Sequence, residues 1–138
     1  MVQNFGIKLE TDGMCDIHDI TSKVEESIKK SGITNGLVNI FCPGSTGGIT
    51  TIEYEPGLRK DLPELMEKII PSKRSYEHDK TWGDGNGFSH LRSALIGPSL
   101  TAPVVSGKLR HGTWQQIVFL DFDNRSRTRE LIITVMGE

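Results

Sequence analysis

Three apolar segments in the last third of the chain, joined by short turns, constrain the fold more than any other feature of the sequence. Leu100 to Val105, Thr113 to Phe122 and Arg129 to Met136 have the β-branched and aromatic content typical of strands. Gly107 and the pair Asp123-Asn124 supply turn residues between them. Because short turns join strands that run antiparallel, this region predicts a largely antiparallel sheet.

The N-terminal region is predicted to add a hairpin and an amphipathic helix. Val2 to Glu10 and Met14 to Ile20 are interpreted as two strands, with a hairpin turn at residues 11–13. Ser22 begins a capping-box pattern, and apolar residues then repeat at helical spacing until Gly32 ends the helix. The chain is therefore expected to begin with an antiparallel strand pair and to continue into a short helix.

The middle of the chain contains two more strands, two helices and one long irregular segment. The apolar patterns predict strands at Gly36 to Cys42 and Ile49 to Glu55, and helices at Leu58 to Ile69 and His90 to Ile96. Residues 72 to 89 show no periodicity, and such a stretch inside a small domain is typical of a functional loop. Since the sequence has no repeat and no linker, we expect residues 1–138 to form a single α+β domain.

Composition and charge exclude several functional classes. The chain has 18 acidic and 16 basic residues, so it lacks the broad positive field that binding to duplex nucleic acid requires. No apolar run reaches the roughly 18 residues of a membrane helix, and the N-terminus lacks a signal-peptide pattern. Cys15 and Cys42 have no second pair with which to form a disulfide framework or a four-sulfur zinc site. We therefore expect a cytoplasmic protein that binds neither nucleic acid nor a membrane.

The irregular segment holds the candidates for a metal site. His78 and His90 flank it, and between them lie the polar residues Asp79, Asp84 and Asn86, with Glu77 just before. A folded loop could bring imidazole and carboxylate groups together to bind a divalent metal ion. The alternative is that His78 is a solvated loop residue and that His90 bonds to backbone at a helix start, since no histidine pair here has the short spacing of a recognisable metal motif.

The segment Pro43 to Gly48 is a glycine-rich break directly after a buried strand. Backbone N–H groups freed by its glycines could converge on an anion, which makes Gly44, Ser45, Thr46 and Gly47 candidates for binding a phosphate group. The segment lacks the lysine and the spacing of a P-loop. An ordinary loop between two strands is an equally weighted alternative.

Further polar candidates lie near strand ends. Glu53 follows the glycine-rich loop, where its carboxylate could hold a metal or accept a proton; a solvent-facing strand residue is the alternative. Arg125, Arg127 and Arg129 alternate and would project to one side of an extended segment, so Arg125 and Arg127 are candidates for binding phosphate. Solvated turn arginines are the commoner outcome. Trp114 is interpreted as a core or subunit-interface residue.

The order of several short motifs along the chain resembles the YjbQ family. The motifs are Pro43-Gly44-Ser45-Thr46, Ile52-Glu53, Lys60-Asp61-Leu62, Glu77-His78-Asp79, Gly85-Asn86-Gly87 with His90, Gly107-Lys108-Leu109 and Gly112-Thr113-Trp114-Gln115-Gln116. The resemblance spans nearly the whole chain, and the asparagine-to-histidine block followed by Gly-Thr-Trp-Gln is quite specific. It implies an α+β fold with a sandwich-like core, assembled as a homotrimer or a multiple of one.

The resemblance also implies a set of site residues. The family's polar cluster corresponds here to Glu53, Asp61, His78, Asn86, His90 and Gln115. Commoner members carry histidine where Gly44 and Phe88 stand in this chain, which leaves only His78 and His90 as imidazole ligands. A divalent metal, Mg, Mn or Zn, would then rely on carboxylates or water, and the site would be closer to a Mg or Mn site than to a three-histidine zinc centre.

The function that the resemblance implies is a secondary thiamine-phosphate synthase activity. This transferase reaction joins a pyrimidine diphosphate to a thiazole phosphate and releases pyrophosphate. Glu53, His78, Asn86 and His90 are then the expected catalytic residues. The alternative is an oligomer, non-enzymatic or with a different activity, that binds a metal and a small phosphorylated metabolite through the same residues.

Overall fold

In the computed structural model, which describes residues 1–138, the apolar segments form strands and the amphipathic segments form helices. The strands are β1 (Val2–Thr11), β2 (Asp16–Asp19), β3 (Asn35–Phe41), β4 (Gly47–Ile52), β5 (Ser99–Val105), β6 (Lys108–Leu109), β7 (Gln116–Asp121) and β8 (Arg127–Gly137). The helices are α1 (Thr21–Ser31), α2 (Pro56–Ile69), α3 (Glu77–Trp82) and α4 (Gly87–Ile96). Every strand pairing is antiparallel, so the predicted α+β class is confirmed. None of the helices has the length and apolar character needed to span a bilayer.

Two sheets are layered through a shared core. The larger sheet has the order β1-β8-β3-β5-β6, and the smaller one has the order β2-β7-β4. The inner face of the larger sheet packs against α1 and one face of the smaller sheet, and this core contains Cys42. The other face of the smaller sheet packs against α2 and α4 in a second core that contains Cys15. The result is the sandwich-like arrangement that the family resemblance implies.

Strand β7 lies between these two cores and is buried on both faces. Ile117 and Phe119 belong to the larger core, whereas Val118 and Leu120 belong to the smaller one. A strand covered on both sides needs a continuous apolar run in place of alternation. This explains why residues 117–120 stand out in the sequence.

The predicted N-terminal hairpin is wrong. β1 pairs with β8 along its whole length, and β2 pairs with β7 in the other sheet. The turn between them carries the chain from one sheet to the other, and three consecutive residues in it have positive φ: Gly13, Met14 and Cys15. The backbone N–H of Met14 donates to the carbonyl of Asp123, and that of Cys15 to the carbonyl of Asp121. These bonds dock the turn on the end of β7.

The segment predicted to be irregular contains the helix α3, and α4 begins at Gly87, three residues before the predicted start. The predicted strand Thr113 to Phe122 is also shorter, because β7 begins only at Gln116. Trp114 precedes it with 74% of its surface exposed, which excludes a place in the core.

A buried ionic network joins the two sheets where β7 passes into β8. Arg129 donates from Nε and Nη2 to the two carboxylate oxygens of Asp121, at 2.8 and 2.9 Å. The Thr11 hydroxyl donates to the same carboxylate at 2.6 Å. Arg129 also donates to the Thr46 hydroxyl at 2.7 Å, and Arg127 donates to Asp123 at 2.5 Å. The network therefore connects β1, β7, β8 and the start of β4.

The outer face of the larger sheet is apolar and uncovered. Five of its large apolar side chains are between 39% and 62% exposed: Val2, Leu37, Phe41, Ile132 and Met136. The register places these residues in two rows across the sheet, with a row of polar residues, Asn4, Thr134, Asn39 and Thr101, between them. We call this surface the outer sheet face.

Asp121 makes stability depend on pH. Burial raises the pKa of its carboxyl, but hydrogen bonds from the Arg129 and Thr11 side chains and the Asp123 backbone outweigh burial and leave this pKa below its usual value. A carboxyl with a lowered folded-state pKa contributes stability above its unfolded pKa of about 3.9, and this contribution is lost as pH falls through the lower folded value.

We expect Asp121→Asn to lower the free energy of unfolding at pH 7 by about 3–5 kcal/mol, because it removes the charged partner that accepts two hydrogen bonds from the buried Arg129 guanidinium. The measurement is denaturant unfolding followed by circular dichroism. Glu26→Gln is the control, since it breaks the exposed Glu26–Lys30 pair and should change little. Equal losses in the two variants would contradict a structural role for the buried pair.

Candidate functional site

The starts of α3 and α4 lie side by side and bring two histidines together. Asp79 holds them there, because its carboxylate accepts the backbone N–H groups of Tyr76 and Gly87, both at 2.9 Å. A Cβ on Gly87 would lie 2.7 Å from the Cβ of Tyr76, so only glycine permits this approach. As a result the rings of His78 and His90 are 4.3 Å apart between centroids, with a tilt of 38° between their planes.

Two carboxylates lie close to the His78 ring. Its Nδ1 lies 3.9 Å from an oxygen of Asp84 and 4.0 Å from an oxygen of Asp79. This Nδ1 is buried and has no hydrogen-bond partner. The hydrogen bonds from Tyr76 and Gly87 lower the pKa of Asp79, so this carboxylate is ionised at neutral pH. Asn86, oriented with its amide nitrogen toward Asp84, donates to that carboxylate at 2.9 Å.

These donors fit a metal ion. The ligand atoms of His78, Asp79 and Asp84 lie within 4.8 Å of one another. Two ligands that each stand about 2.1 Å from the same ion are at most about 4.2 Å apart, so a small inward movement would complete the site. One imidazole nitrogen with carboxylate oxygens suits Mn or Zn. The His90 ring faces that of His78, so it must turn before a nitrogen in its plane could join them. We call His78, Asp79, Asp84 and His90 the histidine cluster.

A cleft of about 330 Å³ opens beside the histidine cluster. Its lining includes His78, His90, Tyr76 and Arg74, and the guanidinium of Arg74 lies 5.0 Å from the centre of the Tyr76 ring. Sequence reasoning missed Arg74. The available signal was its place two residues before Tyr76, in the polar segment that leads into α3.

Phe88 and the last two glycines of the glycine-rich segment have packing roles. Phe88 is buried and lies beneath Arg92, whose guanidinium is 4.9 Å from its ring centre, so position 88 faces the interior. A Cβ on Gly47 would lie 2.7 Å from the Phe119 ring, and one on Gly48 would lie 2.8 Å from Ile96. Close packing of β7 and α4 explains these two glycines, including Gly47, for which the sequence predicts phosphate binding.

The three arginines near the end of the chain are not equivalent. Arg125 is exposed in the turn before β8, Arg127 is paired with Asp123, and Arg129 is buried with Asp121. The expectation that all three project freely to one side is wrong, because β8 begins only at Arg127 and its inner face meets carboxylates.

Glu53 lies away from the histidine cluster. α4 packs against the start of β4, where the Ser93 hydroxyl donates to the Gly47 carbonyl at 2.5 Å. His90 lies one turn before Ser93, whereas Glu53 follows the other end of β4, roughly 20 Å along the strand. This corrects the expectation that Glu53, His78 and His90 meet in one site of a single chain.

Gln115 and Asp61 also lie outside the histidine cluster. The Gln115 side chain donates to the Thr51 hydroxyl at 3.2 Å, near the end of β4 where Glu53 lies. Asp61 is exposed on α2. The polar residues that the resemblance groups together are thus divided within one chain between the start of α4 and the far end of β4.

Comparison with known proteins gives one consistent family. The family model described as UPF0047 protein YjbQ-like matches residues 6–138. A UPF0047 protein of Archaeoglobus fulgidus is 40% identical over 130 residues, which cover 94% of this chain and 98% of the relative. The UPF0047 protein YugU of Bacillus subtilis is 34% identical over 132 residues, covering 95% and 97%.

Solved structures show the same architecture. A hypothetical protein from Aeropyrum pernix superposes with a TM-score of 0.92 at 32% identity and covers 99% of both chains. A protein of unknown function from Sulfolobus solfataricus superposes with a TM-score of 0.90 at 31% identity over the full length of both chains.

Proposed function

The chain belongs to the family of YjbQ-like UPF0047 proteins, and from the geometry of its histidine cluster we propose that it binds a divalent metal ion and, beside it, a phosphorylated small molecule. The observation that carries this proposal is the buried Nδ1 of His78, which has no partner in the chain and is 3.9 Å from Asp84. A buried polar atom without a partner is costly, and a metal ion or a ligand would remove that cost.

Hydrogen bonds to the carboxylates of Asp84 and Asp79 support the metal proposal. Asn86 orients Asp84, and Asp79 is fixed by two backbone N–H groups, so the carboxylates are held in place before any ion arrives. Such outer contacts commonly change metal affinity by about 10–100-fold. A bound ion would supply positive charge for oxygen atoms of a ligand in the cleft.

The phosphorylated ligand is supported by the cleft next to the cluster. Arg74 stands at its wall, where a guanidinium can bind two phosphate oxygens at once. Tyr76 stacks against Arg74 and restricts its movement. A phosphate between Arg74 and the metal would satisfy both cations.

The reaction proposed for this site is the secondary thiamine-phosphate synthase activity. A departing pyrophosphate carries high negative charge, which Arg74 and a metal ion held by the histidine cluster would neutralise. Binding of a phosphorylated metabolite without this reaction is the rival proposal, and an activity assay distinguishes the two.

We expect chelator-treated protein to bind Mn²⁺ or Zn²⁺ saturably in calorimetric titrations, and Asp84→Asn and His78→Gln to weaken binding at least about tenfold, because each removes a ligand. Glu77→Gln is the matched control, since Glu77 lies on the same helix but its side chain is 89% exposed and bonds to Lys80. His90→Gln tests whether the second ring joins the site. Absence of saturable binding, or equal weakening in the control, would contradict the metal proposal.

We expect purified protein with both phosphorylated precursors and Mg²⁺ to form thiamine phosphate, and Asp84→Asn to reduce turnover at least about tenfold through loss of a metal ligand. Glu53→Ala should retain turnover if each site is built by one chain, because Glu53 lies at the other end of β4. Product would be measured by chromatography. Background turnover in the wild type would exclude the synthase and leave the binding role.

We also propose that the protein self-associates through the outer sheet face. Two apolar rows flank an internally bonded polar row on this face, in which the Thr134 hydroxyl donates to Asn4 at 2.7 Å and Asn39 donates to Thr101 at 3.0 Å. Large exposed apolar side chains grouped on one face in this way are typical of subunit contacts. The family resemblance implies three copies.

We expect Ile132→Glu, which places a charge in one of the two apolar rows of this face, to reduce the oligomer to a smaller species in sedimentation velocity. Leu65→Glu is the control, because Leu65 is 50% exposed but lies on α2, away from the face. A wild type that sediments as a monomer at micromolar concentration, or a control that dissociates equally, would argue against this interface.

A further inference from the structure

The first part of the glycine-rich segment presents three backbone donors that the chain does not use. The N–H groups of Gly44, Ser45 and Thr46 donate to no acceptor in the protein, and Gly44 and Ser45 are exposed. A buried backbone N–H, such as that of Thr46, is almost always paired, and the exposed N–H groups of Gly44 and Ser45 beside it are open to an acceptor from solvent. Successive N–H groups in a loop form the kind of concavity that accepts anions.

A buried guanidinium lies against this loop. The side chain of Arg129 is only 6% exposed, and its Nε and Nη2 are fully engaged with Asp121 and Thr46. Its Nη1 makes no hydrogen bond, and it lies 3.3 Å from the position that a Cβ on Gly44 would occupy. Glycine at position 44 therefore leaves the space beside Nη1 open.

The ionic network beside the loop is balanced in charge, because Arg127 pairs with Asp123 and Arg129 pairs with Asp121. These ion pairs fix the Arg129 side chain, so a ligand would meet a donor that is already oriented.

A further unpartnered group lies on the adjoining helix. The Oγ of Ser89 is fully buried without a hydrogen-bond partner. Ser89 and Ser93 are one turn apart on the same face of α4, and Ser93 bonds to Gly47. Ser89 is therefore on the side of α4 that faces the beginning of β4 and the loop before it.

We propose that Nη1 of Arg129 and the backbone N–H groups of Gly44, Ser45 and Thr46 form a binding site for a phosphate group. The cation of this site is Arg129, not the Arg125 and Arg127 that the sequence pointed to. The proposal deepens the proposed function, since it names a second contact for a phosphorylated ligand. Both regions are tied to one turn, because Asn124 donates to the Asp84 carbonyl at 2.9 Å and Thr46 bonds to Asp123 at 3.3 Å.

Inorganic phosphate added to chelator-treated, ¹⁵N-labelled protein tests this site without the metal. We expect saturable shifts of the Gly44, Ser45 and Thr46 amide signals that chloride at equal ionic strength does not cause. Arg129→Lys keeps the charge but removes the free guanidinium nitrogen, and it should weaken phosphate binding at least about tenfold. Asp84→Asn should bind phosphate like the wild type, which separates this site from the metal.

Ser45→Pro is a second test variant, which can be used if Arg129→Lys does not fold. It removes one donor N–H from an exposed loop residue, leaves the ionic network intact and should weaken phosphate binding several-fold. Absence of specific shifts in the wild type, or wild-type affinity in both variants, would overturn the proposal. Loss of metal binding in Asp84→Asn together with unchanged phosphate binding would support the phosphate site and show that it is separate from the metal site.

Discussion

The pairing of Arg129 with Asp121 is the interaction on which the rest of the structure depends. β7 and β8 follow each other in the chain but belong to different sheets, so the chain must cross between layers at the turn that joins them. A charged pair buried at such a crossing is tolerated only if its donors and acceptors are satisfied. Thr11, Thr46 and the Asp123 backbone complete that requirement, and in doing so they fix β1 and β4 relative to the same point.

The loops that carry the two candidate sites are hydrogen-bonded to the turn between β7 and β8. The turn that contains Asp123 and Asn124 supports the loop before α4 through Asp84, and it supports the loop before β4 through Thr46. Loops anchored on a rigid buried network can hold polar groups in fixed positions, which is what metal and phosphate binding require.

The sequence was informative where a single local rule decides the outcome. The antiparallel α+β character follows from apolar segments separated by turns, and β7 stands out because both its faces are buried. The hairpin prediction failed because turn residues report a change of direction, not which strand pairs with which. α3 was missed because its six residues bury no apolar face. Glu53 was grouped with the histidines although strand periodicity gives the face of a residue and not its end of the sheet. Arg129 was undervalued because only the fold shows its partners.

Each core contains one thiol, and this has a practical consequence. Cys15 is buried in the smaller core, and burial raises its pKa to about 11; burial also raises the pKa of Cys42 in the larger core. Since the thiolate is the reactive form, both side chains are protected twice, by inaccessibility and by protonation. The rate at which each thiol is alkylated would therefore report on the transient opening of its own core. Single-cysteine variants of the chain would show which core opens more often.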